Sequence, residues 1–324
     1  MNKKTLLGPV LAVAASLSLA AAASAAPHGI LWARGAGPAR VQRSGSGSGL
    51  VYFGGPVISN VKVYAVFWGD QVSARTKSLV GPLYTNILDS TYMDWLKEYD
   101  TNRKAVDGRA GTDQHIGRGT FAGAFTIHPA NRGSSLSDAD VQAELDAQIA
   151  AGRLPPNDAD TLYMTYFPSG VSISIGGQGS CSSFCAYHEG FNSPRSGKPV
   201  YYGVMPSCGW GCGSQSEVSS HECIEAVTDP FPTPGDQPAY PQAWNDAGGQ
   251  EIADLCDGTN GTVTGHGTAS DVTALWDDSI GGCNQGPWRQ SPALSARALP
   301  SQVPFLSQAP LLDALRASPA PFGR

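Results

Sequence analysis

The 324-residue chain has no cysteine before residue 181, no surplus of basic residues and no recognisable serine-nucleophile block. Each absence narrows the possibilities. With 21 Lys and Arg against 27 Asp and Glu, a formal charge of −6, the chain carries no basic footprint for nucleic acid. Beyond about residue 25 no run is long and apolar enough for a bilayer, so the mature chain is expected to have no membrane span. A G-x-S-x-G nucleophile elbow is missing. Gly265-His-Gly-Thr-Ala269 has the look of a serine-peptidase histidine block, but no Gly-Thr-Ser-type block follows it. No internal repeat is visible, which excludes a solenoid.

What is present begins with an export signature. Lys3 and Lys4 precede a small-apolar run from Leu6 to Ala23, and Ala23-Ser24-Ala25 suits signal peptidase, so residues 1–25 are read as a cleavable signal. The expected location is secreted or extracellular, which includes periplasm or cell wall. Losing Lys3 and Lys4 leaves 19 basic against 27 acidic residues. Outside the cytoplasm the seven cysteines should give three disulfides and one free thiol. Spacing does not fix the pairing. The short gaps Cys181 to Cys185 and Cys208 to Cys212 favour local staples, which would leave Cys256 for Cys283. Cys223 is expected to be the reduced one. Two such pairs in a cytosolic protein would suggest a zinc ribbon, a reading that export disfavours.

Residues 26–50, with Ser44-Gly-Ser-Gly-Ser-Gly49, read as a flexible linker or pro-segment. A single globular domain is expected over 51–287, followed by a Pro- and Ala-rich tail at 288–324 that should be disordered. Within the domain, strands are expected at Val61 to Trp68, Gly119 to Ile127, Leu162 to Phe167 and Val200 to Met205. A helical segment is expected from Ala74 to Tyr99. Another should start at Ser137, with Val141, Leu145 and Ile149 on one face and Gly152 as its end. The predicted class is α/β (α+β): a mixed sheet with packed helices and a loop-rich, disulfide-bearing C-terminal half.

Chemistry concentrates in one more helix, opened by the capping-box spacing Ser214 to Glu217 and stopped at Asp229-Pro230. Ser220, Cys223, Ile224 and Val227 form a small apolar side suited to the sheet. His221 and Glu225 stand one turn apart on another face, where an imidazole and a carboxylate can share an ion, as in helical H-E-x-x-H zinc motifs. Glu222 lies where a general base would take a proton from an activated water. For a third ligand, Glu251 is the first choice, with Asp254 accepting from the His221 ring or exchanging roles with Glu251. His188 is the other candidate, as a ligand or as a catalytic group polarising the substrate oxyanion. Zn2+ is the expected ion.

Several blocks carry a family likeness: Tyr52-Phe-Gly-Gly-Pro-Val-Ile-Ser-Asn60, Phe67-Trp-Gly69, Phe184-Cys-Ala-Tyr-His188, Ser220-His-Glu-Cys-Ile-Glu-Ala-Val-Thr-Asp-Pro230 and Glu251-Ile-Ala-Asp-Leu-Cys256. As an ordered set over about residues 51 to 285 they resemble the plant EXORDIUM or phosphate-induced protein family and its secreted bacterial relatives. The resemblance implies an exported or cell-wall protein, with a zincin-like H-E-x-x-E helix in which Cys223 replaces a more usual aliphatic residue. The function expected from all this is a secreted zinc-dependent peptidase acting on a protein or peptide. The alternative is a non-catalytic extracellular protein with a structural or vestigial metal site and a cell-wall component as partner.

Overall fold

The computed structural model describes residues 29–37, 49–209, 211–232 and 238–290. The expected signal and all of the expected tail beyond residue 290 lie outside the described residues. The N-terminal half contains β1 (Ile30–Trp32), β2 (Val51–Tyr52), β3 (Lys62–Trp68), α1 (Ala74–Leu88), α2 (Thr91–Asp94), β4 (Thr120–Ile127), β5 (Ser135–Ser137) and α3 (Asp138–Ala150). There follow β6 (Thr161–Tyr166), β7 (Ser172–Ile175), β8 (Gln178–Gly179), β9 (Phe184–Asn192), β10 (Pro199–Met205) and α4 (Gln215–Thr228). The remainder is built from short strands: β11 (Trp244–Asn245), β12 (Asn260–Gly265), β13 (Thr268–Thr273), β14 (Leu275–Asp277), β15 (Gly282–Asn284) and β16 (Trp288–Arg289).

Six strands form the main sheet in the order β1-β9-β10-β6-β3-β4. The pairs β10/β6, β6/β3 and β3/β4 are parallel, and β1/β9 and β9/β10 are antiparallel. Both faces are covered, so the central strands are apolar throughout instead of alternating with polar residues. Val63, Ala65 and Phe67 of β3 join the layer that contains Leu83, Tyr84 and Ile224, whereas Val66 and Trp68 join Val141 and Leu145 on the opposite face. Thus α1 and α4 share one side and α3 takes the other. The fold is mixed α/β.

The four strands expected from sequence form, each within a residue or two of its expected bounds. The single helix expected from Ala74 to Tyr99 does not. It breaks after Leu88, where the Ser90 hydroxyl donates to the Ile87 carbonyl and accepts from the Tyr92 N–H, capping a new short helix that runs into a 3-10 turn at Trp95–Tyr99. The expected linker also contributes structure. Ile30 to Trp32 pair with β9 as an edge strand, and Ile30 is 2% exposed. Three apolar residues in a Gly- and Ser-rich stretch are too few to register as a period, yet enough to cover one sheet edge. Trp288–Arg289, at the start of the expected tail, pairs with β12.

Local stapling of the first four cysteines is overturned. The bridges are Cys181–Cys208, Cys185–Cys212 and Cys256–Cys283, and Cys223 is free and buried. Cys185 belongs to β9 and faces the α4 layer, where the loop after β10 returns with Cys212 beside it. The first two bridges therefore lash the approach to α4 onto β9 and the turn just before it, and the third fastens the 3-10 turn Asp254–Cys256 to β15. Closing loops of this length stabilises by about 3 to 4 kcal/mol per bridge in the chain-entropy picture. Mass mapping of the non-reduced protein is expected to return these three pairs, with Cys223 alkylated only after unfolding. Alkylation of native Cys223 would mean that α4 is not packed as described.

Candidate metal centre

Helix α4 starts and stops where its sequence signals place it. The Ser214 hydroxyl accepts from the Glu217 N–H at 3.3 Å, and the Glu217 carboxylate accepts from the Ser214 N–H at 2.6 Å, closing the capping box. At the other end the Asp229 N–H donates to the Glu225 carbonyl at 2.6 Å. Hydrogen bonds fix the helix on two sides. Tyr166, itself bonded to Tyr84 at 2.6 Å, donates to Ser219, and the Thr273 N–H of β13 donates to Ser220. Every residue from Val218 to Thr228 is buried. A helix buried all round is ordinarily apolar all round, yet this one carries His221, Glu222 and Glu225.

Two more elements bring partners. His188 lies in the middle of β9, in the sheet and not in a loop, and Glu251 and Asp254 flank the entry to the 3-10 turn. The His221 Nε2 atom is 3.1 Å from Glu225 Oε1 and 3.6 Å from Asp254 Oδ1. On the inner side, His188 Nε2 is 3.4 Å from Glu251 Oε1, and its Nδ1 is 3.9 Å from Glu225 Oε2 and 3.2 Å from Glu222 Oε2. Two sets of ligand atoms result: His221, Glu225 and Asp254, and His188, Glu225 and Glu251. Asp254, not Glu251, thus completes the set around His221, the exchange of roles left open by sequence. Glu251 instead completes the set around His188, and Glu222 belongs to neither.

Several atoms of these groups are close to one another without being bonded. His221 Nε2, Glu225 Oε2, both oxygens of Glu251 and Glu222 Oε1 are buried and have no hydrogen-bond partner. Each such orphan in a neutral site costs about 1 to 3 kcal/mol. Ligands at 2.0–2.1 Å around a tetrahedral ion lie about 3.3 Å apart, the edge of the tetrahedron. The outer set's separations of 3.1 and 3.6 Å bracket that edge, and in the inner set, where His188 approaches Glu225 through Nδ1 and Glu251 through Nε2, the three ligand atoms lie within 4.8 Å of one another. The residues present therefore fit a divalent cation.

Protonation equilibria reflect the crowding. Burial alone would lower the pKa of His188, but the Glu251 and Glu222 carboxylates outweigh it and hold the value well above the ordinary histidine range. Burial opposes His221 in the same way and is outweighed by Glu225 and Asp254. Burial raises Glu225 to about 7 and pushes Glu222 upward, against the pull of the imidazoles. Glu251 is driven well above the usual carboxylate range, again by burial.

A cleft of about 590 Å³ leads to the centre, walled by Trp32, Arg34, Gly211 and Gly249, with His221 and Asp254 at its floor. His188, Glu222, Glu225 and Glu251 do not reach its surface. Behind them stands Asp229, which the sequence marks only as a helix stop. Its carboxylate accepts from the Ala243 N–H at 2.8 Å and the Asn245 amide at 2.6 Å, and so ties the chain leading to Glu251 onto the end of α4. The other flagged histidine block is remote from this chemistry: His266 sits on the exposed β12–β13 turn with φ +46°.

No family model, no curated protein and no solved structure matches the chain.

The raised pKa values fix the sign of a pH effect. A carboxyl or imidazole whose pKa is higher in the folded than in the unfolded chain favours folding while protonated, and that advantage disappears as pH rises through the folded value. Glu225, Glu222, Glu251, His188 and His221 all act in this direction. Chelated protein is therefore expected to melt at progressively lower temperature from pH 5 to pH 8. Added Zn2+ should reverse the loss most strongly at pH 8, by about 2.7 kcal/mol at a hundredfold excess over Kd. Thermal melts across that range check it. An apo protein that is stabilised by rising pH and indifferent to zinc would contradict the site.

Proposed function

We propose that the chain is an exported, zinc-dependent hydrolase of peptide bonds that works through the cleft-facing set His221, Glu225 and Asp254. The observation that carries this reading is the group of buried, unpartnered ligand atoms at the base of an open cleft. Three protein ligands with one side open to solvent are what catalytic zinc requires, whereas structural zinc is enclosed by four. Export is supported by the signal-like N-terminus and by three disulfides, which persist outside the cytoplasm. The zincin-like H-E-x-x-E pattern and the EXORDIUM-like blocks agree with an extracellular setting.

Zinc bound there would supply Lewis acidity, making a water more acidic and polarising the carbonyl to be attacked. The chain's own residues do the rest. Glu222 is the carboxylate that neither ligand set uses; its Oε1 has no partner, and its Oε2 lies 3.2 Å from His188 Nδ1. Burial raises its pKa above the usual carboxylate value, against the pull of the two imidazoles, and so strengthens it as a base. Since it does not line the cleft, it is assigned to take the proton of the attacking water and return it to the leaving amine by way of an intervening water. His188, enclosed in β9, is a ligand candidate in this account and does not touch the substrate.

Glu222→Gln is expected to retain zinc and the native melting profile while hydrolysis of an unfolded protein falls by about 10²- to 10⁴-fold. His221→Ala should lose the zinc held by the cleft-facing set, and activity with it. Metal content measured beside proteolysis decides the matter. If the wild type holds zinc but cleaves nothing, the non-catalytic extracellular reading replaces this one.

A further inference from the structure

We propose that Glu225 bridges two divalent cations, so that the centre is dinuclear: a cleft-side ion on His221 and Asp254, and an enclosed ion on His188 and Glu251. The inference rests on the reading of the site as metal-binding and extends it to a second ion. Its geometric basis is the division of the Glu225 carboxylate. One oxygen, Oε1, faces His221 Nε2 at 3.1 Å, while the other, Oε2, faces His188 Nδ1 at 3.9 Å and has no hydrogen-bond partner. A carboxylate presenting opposite oxygens to two separate imidazole-bearing sets is placed as a bridge.

The inner set has a different character from the outer one. His188, Glu225 and Glu251 are all fully buried, and both oxygens of Glu251 lack partners. A protonated His188 paired to Glu251 does not explain this, because their 3.4 Å approach makes no hydrogen bond, and a buried ion pair survives only with good geometry. His188 Nε2 instead lies 3.0 Å from the Asp229 carbonyl. Donation to that carbonyl leaves Nδ1 as the lone-pair atom on the side of Glu222 and Glu225, which is how ligating imidazoles are commonly held, and Glu251, nearest the Nε2 side, completes the set within a 4.8 Å span of ligand atoms.

Charge points the same way. Glu222, Glu225, Asp229, Glu251 and Asp254 surround only two imidazoles, and four of these five carboxylates are fully buried. With both imidazoles neutral as ligands, one divalent ion leaves three negative charges uncompensated, and two ions leave one. Isolated buried charge is costly enough that a protein neutralises it. Sharing Glu225 also divides its donation between two cations. The cleft-side ion thereby keeps more of its power to acidify water than a singly held carboxylate ligand would allow.

The test uses the full mature chain, stripped with a chelator and reloaded with Zn2+ alone, with metal per chain counted by mass spectrometry. Two equivalents are expected for the wild type, and one each for His188→Ala and His221→Ala. Loading with Mn2+ needs no variant: two bridged ions about 3.5 to 4 Å apart should give an exchange-coupled paramagnetic resonance spectrum. Saturation at one equivalent, with the hyperfine pattern of isolated Mn2+, overturns the bridge and leaves the mononuclear hydrolase intact. Binding of no metal overturns both.

Discussion

The structure depends on keeping an excess of carboxylates inside a helix-and-sheet interior. Four fully buried acidic side chains, with Asp254 at their edge, meet two buried histidines around α4. Nothing in ordinary packing rewards this. Removing ionised carboxylates from water costs several kcal/mol each even after relaxation, so the fold is committed to protons or cations at this spot. Unpartnered ligand atoms spaced like the edges of a coordination tetrahedron favour cations.

Much of the surrounding architecture holds those side chains in place. Two disulfides fasten the chain between β10 and α4 to β9, the strand bearing His188, and to the turn just before it, and the third fastens the turn bearing Asp254. The Asp229 carboxylate anchors the chain that leads to Glu251. At the sheet edge, Gly29 has φ +67°, its carbonyl accepts from the His188 N–H at 2.9 Å, and a Cβ there would lie 2.8 Å from the His188 carbonyl oxygen. That close approach sets β1 against the strand bearing His188, and β1 and its continuation wall the cleft. Ligands on α4, on β9 and on a stapled turn are thus pre-positioned from three sides, which lowers the ordering cost of binding an ion.

Local signals were legible in the sequence, and long-range ones were not. The capping boxes at Ser214 and Ser137 set helix starts correctly, because a cap is satisfied within four residues. The strands Val61 to Trp68 and Val200 to Met205 announced themselves by β-branched and aromatic content. The His221 and Glu225 pair was visible for the same reason, one helical turn being a local fact. Whether Asp254 or Glu251 meets His221 depends on how a loop after Pro230 returns across α4, which no spacing encodes. The cysteine pairing failed likewise, since Cys185 and Cys212 are neighbours only after β9 and β10 have paired. His188 was flagged, but its place in a buried strand follows from sheet order alone.

If the cluster around α4 is a cation site, an ion can be seen in it. A crystal of the zinc-loaded chain, measured on both sides of the zinc absorption edge, tests it most directly. Anomalous density is expected between His221, Glu225 and Asp254, with ligand distances of about 2.0 to 2.2 Å. No anomalous peak at saturating zinc, with the carboxylates instead joined by short proton-shared contacts or buried waters, would contradict it.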